Sequence, residues 1–294
     1  MPKICYREQS FYEKSLERLG WIENILEEYA HLGHRMTVRQ VFYQAVARDL
    51  MPNTQATYNA IQTLLDNGRM TGRIDWEAIE DRGREVVRPS VWKSPSAILD
   101  ACTRSYQRDL WLSQAVRVEL IIEKAALVGV VEDVCQRFRV SYLAARGYAS
   151  QSIAWEMAQR YRHDRREIVV LYLGDHDPSG IQMGRDLHER LELFADRKID
   201  FRRLALNRDQ TSNLPPNFAK ETDKRFAKYV EEFGTEECWE LDALEPDVIE
   251  NLVETEIHGL IDGDRWAEVE GLEAVERQRL RRIAGRAARR ERLA

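Results

Sequence analysis

Residues 171–180 read Leu-Tyr-Leu-Gly-Asp-His-Asp-Pro-Ser-Gly, and this stretch decides the fold. The apolar run from Ile168 to Leu173 predicts a buried central strand, and the Pro and Gly after the acids predict a turn. Side chains at i and i+2 of a strand point the same way. Asp175 and Asp177 should therefore present both carboxylates at the carboxyl edge of a sheet, where open α/β folds bind ligands. His176 should point to the opposite face, which excludes it as a ligand.

Two carboxylates at this spacing predict a metal site. Like charges this close repel each other unless a cation lies between them, and hard oxygen ligands favour Mg²⁺. The alternative is a solvated Asp-x-Asp turn that caps the next helix.

Two further strands lie upstream. The apolar-rich segment Val116 to Ile122 predicts a strand that ends at Glu123 and is followed by a helical pattern, and Val140 to Ala145 predicts another strand. A turn at Gly147 then leads into a helix from about Ser150 to Arg162. Right-handed crossovers in such a βαβ series bring the carboxyl ends of the strands to one edge. The sequence therefore predicts a cluster of three carboxylates, Glu123, Asp175 and Asp177.

These motifs resemble the Toprim domain of topoisomerases, primases and some nucleases. The resemblance rests on Glu123-Lys124 after the first strand, Arg146-Gly147-Tyr148 after the second, and Asp-His-Asp-Pro-Ser-Gly at 175–180 after the third. Asp-x-Asp-Pro-x-Gly is similar, more narrowly, to the A subunit of topoisomerase VI and to the related meiotic double-strand-break protein. In that family a winged-helix domain with a nucleophilic tyrosine precedes the Toprim domain.

The N-terminal third contains a matching helix. Residues 36–43, Met-Thr-Val-Arg-Gln-Val-Phe-Tyr, are similar to the family's helix that ends in an aromatic pair and the catalytic tyrosine. The first aromatic here is Phe42, which departs from the family's pattern, and Tyr43 takes the role of nucleophile if the family's nucleophile is the second aromatic of the pair. Arg39, one helical turn earlier, faces the same way and could hold the scissile phosphate or help to deprotonate the phenol. The alternatives are a half-buried packing tyrosine and a surface arginine paired with an acid.

A second helix and a wing are predicted next. Pro52-Asn53-Thr54 opens a helix from Thr54 to Asp66, and Gly68, Arg69, Gly72 and Arg73 predict a short basic wing that ends at Trp76. Helix, turn, helix and basic wing are typical of a winged helix, with Gln55, Tyr58, Asn59 and Gln62 available to a DNA groove.

The expected fold class is α/β, with a winged-helix domain, a Toprim Rossmann-like domain with a mainly parallel sheet, and a helical C-terminal tail. The predicted boundaries are residues 1–92 for the winged helix, 93–115 for a linker and bridging helix, 116–262 for the Toprim domain and 263–294 for a basic helical tail. The best linker candidate is residues 88–96, and the bridging helix runs from Ser96 to about Trp111.

The segment after the acid pair gives weaker signals. A helix is expected from Ser179 to Phe194 and a strand from Ile199 to Leu206. Residues 238–244 predict an edge strand, on which Glu240 and Asp242 form another i, i+2 acid pair. These two acids match no family residue, and a polar strand face is preferred over a role as metal ligands.

Composition limits the function classes. The net charge of −6 is an objection to DNA binding, although eight arginines crowd the last eighteen residues, where they could bind DNA or form a solvated helix end or a disordered extension. The four cysteines are scattered, which argues against zinc and suits a reducing cytoplasm. The chain has neither an apolar run long enough to span a membrane nor a signal-peptide profile, so a cytoplasmic location without membrane partners is expected.

The resemblance implies a tyrosine transesterase. Tyr43 would attack a DNA phosphate, leaving a 5′-phosphotyrosyl link and a free 3′-hydroxyl, while Mg²⁺ held by Glu123, Asp175 and Asp177 would polarise the phosphate. Lys124 would add positive charge nearby or form a surface salt bridge. The resemblance further implies double-stranded DNA as substrate, a homodimer whose sites combine the tyrosine of one chain with the acids of the other, and a separate ATPase subunit.

Two other functions stay open. In the first, water replaces Tyr43 in a metal-dependent Toprim nuclease, and the winged helix only positions the duplex. In the second, the chain is a non-enzymatic DNA-binding module with relic acids. A phosphatase of the Asp-x-Asp type is disfavoured, because its nucleophile ends the first strand of its fold, whereas this pair ends the third.

Overall fold

The computed structural model describes residues 3–31, 33–79 and 89–291, which form a mixed α/β structure. The helices in this part are α1 (Glu13–His31), α2 (Val38–Ala47), α3 (Gln55–Met70), α4 (Pro95–Ser105), α5 (Val128–Phe138), α6 (Gln151–Arg162), α7 (Pro178–Ala195), α8 (Phe226–Phe233), α9 (Pro246–Gly259) and α10 (Gly263–Glu291). The strands are β1 (Val116–Ile122), β2 (Ser141–Ala144), β3 (Glu167–Leu173), β4 (Asp200–Ala205), β5 (Asn217–Phe218) and β6 (Glu237–Cys238). None of the described helices is both long and apolar enough to cross a membrane.

The main sheet has four strands in the order β2-β1-β3-β4, and every neighbouring pair is parallel. Ile122 at the end of β1 lies opposite Leu173 at the end of β3, so both strands finish at the same edge. The α/β class with a parallel sheet and the helical C-terminal region are therefore confirmed. The order also places the ends of the first and third strands side by side, as a βαβ series requires.

Helices cover both faces of this sheet. On one face, Leu120 and Leu171 pack in a core with α5 and α9. On the other, Ile121 and Val170 pack with α6 and α7. Because β3 is buried on both sides, its sequence from Ile168 to Leu173 is a continuous apolar run, whereas β1 is continuously apolar only from Leu120 to Ile122.

The first three helices share a separate core, which contains Leu19, Val41 and Leu65. Thr37 caps α2 in a capping box with Gln40, and Thr54 caps α3, which therefore begins one residue after the predicted start and runs past Asp66 to Met70. Ala243, from the segment after β6, joins this core. The N-terminal helices are therefore packed against the carboxyl edge of the sheet through that segment.

The predicted wing is not formed as proposed. Gly68 and Arg69 lie inside α3, which continues to Met70. A Cβ at Gly68 would come within 2.8 Å of Ile74 and 2.9 Å of Leu19, so the glycine permits close helix packing rather than a turn. After α3, Thr71 pairs with Cys5 through an isolated bridge.

The boundaries of other elements also differ from the predicted ones. The bridging helix is α4, which ends at Ser105, well before the predicted end at Trp111. Part of the proposed linker, at residue 88, lies outside the described residues, as do residues 292–294 of the predicted tail. The predicted edge strand 238–244 is wrong: it holds only the end of β6 and a 3₁₀ turn, Leu241–Ala243.

Candidate functional site

The acids after β1 and β3 meet at the carboxyl edge of the sheet. The amide of Asp175 donates to Oε2 of Glu123 at 3.0 Å, and both side chains are buried. The close contact between Glu123 and Asp175 leaves no room for a side chain at two neighbouring positions. A Cβ at Gly174 would lie 2.7 Å from Glu123 Oε2, and one at Gly180 would lie 2.4 Å from the Asp175 carbonyl oxygen. The glycines therefore allow the loop to fold tightly around the two acids.

Asp177 serves first as a helix cap. Its Oδ1 accepts a hydrogen bond from the amide of Gly180 at 2.6 Å, and Pro178 opens α7 behind it. The capping alternative for this residue thus matches its geometry. Its side chain also lines the cleft described below.

Lys124 is the centre of a buried ion cluster. Its Nζ lies 2.8 Å from Asp175 Oδ1, 2.8 Å from Glu240 Oε2 and 3.1 Å from Asp242 Oδ2. The Asp242 side chain is fully buried, and its Oδ1 has no hydrogen-bond partner among the described residues. Lys124 is therefore no surface salt bridge, and Glu240 and Asp242 do not form the polar strand face that was expected.

Tertiary contacts hold these two acids in place. His176 and Trp239 form an antiparallel bridge, with amide-to-carbonyl distances of 2.9 Å in both directions. Asp175 Oδ1 then accepts from the amide of Leu241 at 2.7 Å. Glu240 and Asp242 are consequently turned inward toward Lys124. Their only sequence signal is the i, i+2 spacing that they share with the first acid pair.

Arg39 and Tyr43 reach the same cluster from α2. Arg39 pairs with Glu240, and its Nε lies 3.2 Å from Asp242 Oδ2. Its guanidinium carbon is 5.8 Å from the centre of the Tyr43 ring, so both side chains share one helix face as their spacing predicts. Tyr43 is only 4% exposed, and its phenol hydrogen-bonds the Glu240 carboxylate.

Burial dominates the electrostatics. Desolvation raises the pKa of Glu123 above its ordinary value, and the Asp175 carboxylate adds to the shift. Desolvation likewise raises the pKa of Asp175, although Lys124 opposes it. At Glu240 desolvation is outweighed by Lys124 and Arg39, which lower the pKa to about 2. Burial, followed by Glu240, raises the pKa of Tyr43, so the phenol is held protonated.

The predicted metal ligands are only partly assembled. Among the described residues, no group of three His, Cys, Asp or Glu side chains is placed to hold a metal ion. Glu123 and Asp175 lie together, but Asp177 caps a helix and Lys124 takes the charge-compensating position beside Asp175. The donor chemistry suits Mg²⁺, since carboxylate oxygens are its preferred ligands and a divalent cation would relieve the cost of burying them.

A cleft of about 580 Å³ lies between the N-terminal helices and this edge. Asn53 Nδ2 donates to Asn217 Oδ1 at 2.6 Å across it, from the start of α3 to β5. The lining combines the tyrosine, the helix-capping acid and several polar side chains, including Arg39, Tyr43, Asn53, Gln55, Tyr58, Asp177, Lys220 and Glu240. Gln55 and Tyr58, which were predicted to face a DNA groove, thus face this cleft.

His176 lies in a different environment. Its Nδ1 is 2.8 Å from the Tyr229 hydroxyl, and the ring is buried among aromatic side chains. Burial, with Arg203 nearby, lowers the pKa of His176 to about 4, so the imidazole is neutral at pH 7. The His176 side chain holds the loop that follows β3 against β6 and α8.

Comparisons with models of protein families, with curated proteins and with solved structures found no match for this chain. The site must therefore be interpreted from its own residues.

Proposed function

We propose that the chain cleaves double-stranded DNA by Mg²⁺-dependent tyrosine transesterification, in the manner of the topoisomerase VI A subunit that it resembles. The observation that supports this most is that Tyr43 and Asp177 line one cleft, with Arg39 and the Lys124 cluster at its wall. A nucleophile, two cations and a set of carboxylates are the groups that such a reaction needs. The winged-helix and Toprim assignments are part of this proposal.

The chemistry is an exchange of one phosphoester for another. The Tyr43 oxygen forms a bond to the backbone phosphorus, and the bond from phosphorus to the 3′ oxygen breaks. The phenol proton leaves toward Glu240, which already accepts its hydrogen bond, and the departing 3′ oxygen takes up a proton. The products are a 5′-phosphotyrosyl link and a 3′-hydroxyl. Mg²⁺ bound by Glu123, Asp175 and Asp177 would supply Lewis-acid stabilisation of the phosphate charge.

The arrangement described above corresponds to a resting state. Both cations that could contact a phosphate are paired with carboxylates, and the raised pKa of Tyr43 opposes attack at neutral pH. A backbone phosphate that engages Arg39 would compete with Glu240 for the guanidinium, and loss of this cation would raise the pKa of Glu240. Substrate binding itself would then make Glu240 a better acceptor for the phenol proton.

The source of the tyrosine can be tested separately. The family resemblance implies a homodimer with sites shared between chains, whereas here Tyr43 lies in a cleft with Asp177 of its own chain. In a mixture of Tyr43→Phe and Asp175→Ala chains, a shared site regains one working copy per mixed dimer. A site within one chain regains none.

Partners and location are likewise proposals. A separate ATPase subunit would be needed for strand passage, and DNA binding must overcome the net charge of −6. The cysteines Cys5, Cys102, Cys135 and Cys238 are all free, which supports a reducing, cytoplasmic location.

A water-driven nuclease is the second candidate. It is favoured by the burial of Tyr43 and the raised pKa of its phenol, both of which disfavour attack by this side chain. In that case Arg39 and Lys124 would hold the phosphate while a water molecule attacks the phosphorus and one backbone oxygen leaves. A non-catalytic DNA-binding module has no such specific support.

The test is incubation of the protein with end-labelled DNA and Mg²⁺, followed by detection of SDS-stable protein–DNA complexes. We expect adducts with the natural chain and with Tyr58→Phe, a tyrosine of the same cleft, and none with Tyr43→Phe. Cleavage that survives in Tyr43→Phe would establish the water-driven nuclease. DNA binding that Asp175→Ala does not change, in the absence of any metal-dependent cleavage, would support the non-catalytic DNA-binding module.

A further inference from the structure

The two halves of α10 carry opposite charge. Residues 263–276 contain five acids and one arginine, whereas residues 277–291 contain seven arginines and one glutamate. Acids in the N-terminal half and arginines in the C-terminal half complement the helix dipole, and two such helices place unlike charges side by side only when they run antiparallel. This polarity is therefore self-complementary for two copies that run in opposite directions.

One face of α10 is already occupied. Glu273 is buried there and accepts hydrogen bonds from Arg139 Nη2 at 3.0 Å, Arg277 at 2.6 Å and the amide of Arg108 at 2.8 Å. The Trp266 ring packs edge-on against Trp111 at 5.4 Å. This face attaches the helix to the rest of the chain and fixes which side of it points outward.

The outward face carries an apolar stripe. Leu272 is 47% exposed, Val275 is 64% exposed and Ile283 is 47% exposed. At 100° per residue these three side chains fall within an arc of about 80°, which lies at least about 80° away from the buried side chains of Glu273 and Ala284. Glu268, Arg279 and Arg286 lie along the same side and are exposed. Glu268 lies at the acidic end of the stripe and Arg286 at the basic end, and Arg279 lies between Val275 and Ile283.

We propose that this stripe pairs with the same stripe of a second copy of the chain, antiparallel, about a twofold axis near the middle of the helix. An antiparallel pairing that places Val275 beside Arg279 of the second copy also places Leu272 beside the Ile283 region and Glu268 beside Arg286. The apolar contact and the charge contact are thus satisfied by one register. A parallel pairing would set Arg286 against Arg286 and Glu268 against Glu268. The inference does not depend on the proposed cleavage reaction.

The experiment is sedimentation velocity of the full chain over a range of concentrations, at low and at high salt. We expect a reversible dimer that weakens as salt screens the end pairs. Glu268→Arg and Arg286→Glu should each weaken association by about tenfold, since each places like charges together twice in a symmetric dimer. The double variant Glu268→Arg with Arg286→Glu should restore it. Glu270→Arg, an exposed site on another side of the helix, should have little effect.

The outcomes separate the alternatives. Circular dichroism of each variant checks that the exposed substitutions leave the fold intact. A chain that is monomeric at all concentrations, or a double variant that fails to restore association, overturns the proposal. Salt-sensitive retention of DNA that is lost in Arg286→Glu, without any self-association, would assign the basic half to nucleic acid instead. Loss of DNA cleavage with intact dimerisation would contradict only the proposed function.

Discussion

Two buried ion clusters in this molecule are built alike and differ in one respect. Each contains a buried tyrosine hydrogen-bonded to a glutamate, with an arginine near its ring: Arg117 lies 5.9 Å from the centre of Tyr161, and Arg39 lies 5.8 Å from the centre of Tyr43. In the first cluster Tyr161, Arg117 and Arg160 all donate to Glu119, and Arg117 also pairs with Asp164.

The two clusters differ in their balance of charge. Glu119 accepts from Tyr161 at 2.7 Å, Arg117 at 2.8 Å and Arg160 at 3.0 Å, so both of its oxygens are satisfied. Around Lys124, by contrast, three carboxylates share two cations, and Asp242 Oδ1 has no partner among the described residues. A cluster with more acid than base retains the capacity to take up a cation, whereas a balanced one is complete. We interpret the Glu119 cluster as structural and the Lys124 cluster as functional.

Removal of Lys124 should have the largest effect. Lys124→Met leaves Asp175, Glu240 and Asp242 without their central cation and should lower the free energy of unfolding by about 3–5 kcal/mol. If the cluster can take up a divalent cation, millimolar Mg²⁺ should restore much of this loss, because binding to the folded state alone stabilises it. Urea denaturation with and without Mg²⁺ measures both effects. Arg160→Met at the Glu119 cluster is the control, and equal Mg²⁺ rescue in both variants would contradict the comparison.

The second expectation concerns Arg39. Arg39→Ala removes a preorganised cation from the cleft, and we expect DNA cleavage to fall by about 100- to 1000-fold. Arg117→Ala should leave the cleavage rate of the folded protein unchanged, because its guanidinium serves Glu119 instead. Plasmid nicking rates of the two variants decide this. Similar losses in both would show that the arginines act only through stability.

The paired tyrosines provide a third test. Tyr161→Phe removes a donor from a buried carboxylate and should cost about 1–2 kcal/mol of folding stability. Tyr43→Phe should cost less, since Glu240 keeps Lys124 and Arg39 as partners. Chemical denaturation of the two variants gives the comparison directly. A larger loss for Tyr43→Phe would assign that tyrosine to the structure rather than the chemistry.

The smallest expected effect depends on pH. Because the folded state raises the pKa of Glu123, ionisation of this carboxyl costs stability as the pH rises above its ordinary value of about 4.3. Glu123→Gln should match the natural chain near pH 4 and exceed its stability by about 1 kcal/mol at pH 8. Asp133→Asn, on the exposed side of α5, is the control. A difference that does not change with pH would mean that the Glu123 carboxyl is already neutralised in the fold.

Local sequence signals predicted the elements whose structure is determined locally. The apolar-rich segments that form β1 and β3 could be recognised because this signal depends on adjacent residues alone. The meeting of Glu123 and Asp175 followed from a general rule of topology instead, since the parallel strands that precede them finish at one edge.

Contacts between distant residues decided what the sequence did not reveal. The positions of Glu240 and Asp242 depend on the bridge between His176 and Trp239, two residues that are more than sixty positions apart along the chain. Their acid pair has the same spacing as the first, but no apolar run precedes it to mark a buried strand. The mistaken wing has a similar origin: Gly68 suggested a turn, whereas the packing of Leu19 and Ile74 required a residue without a side chain.

The hydrogen bond between Asn53 and Asn217 closes one side of the cleft. A space of about 580 Å³ accommodates a ligand of drug size, far smaller than a duplex. If a duplex is the substrate, this clasp must open before any phosphate meets the tyrosine, and opening rather than diffusion would set the association rate. Substitution of either asparagine by alanine would then increase the rate of DNA association. In the natural chain, cleavage of the duplex would follow only after the cleft had opened.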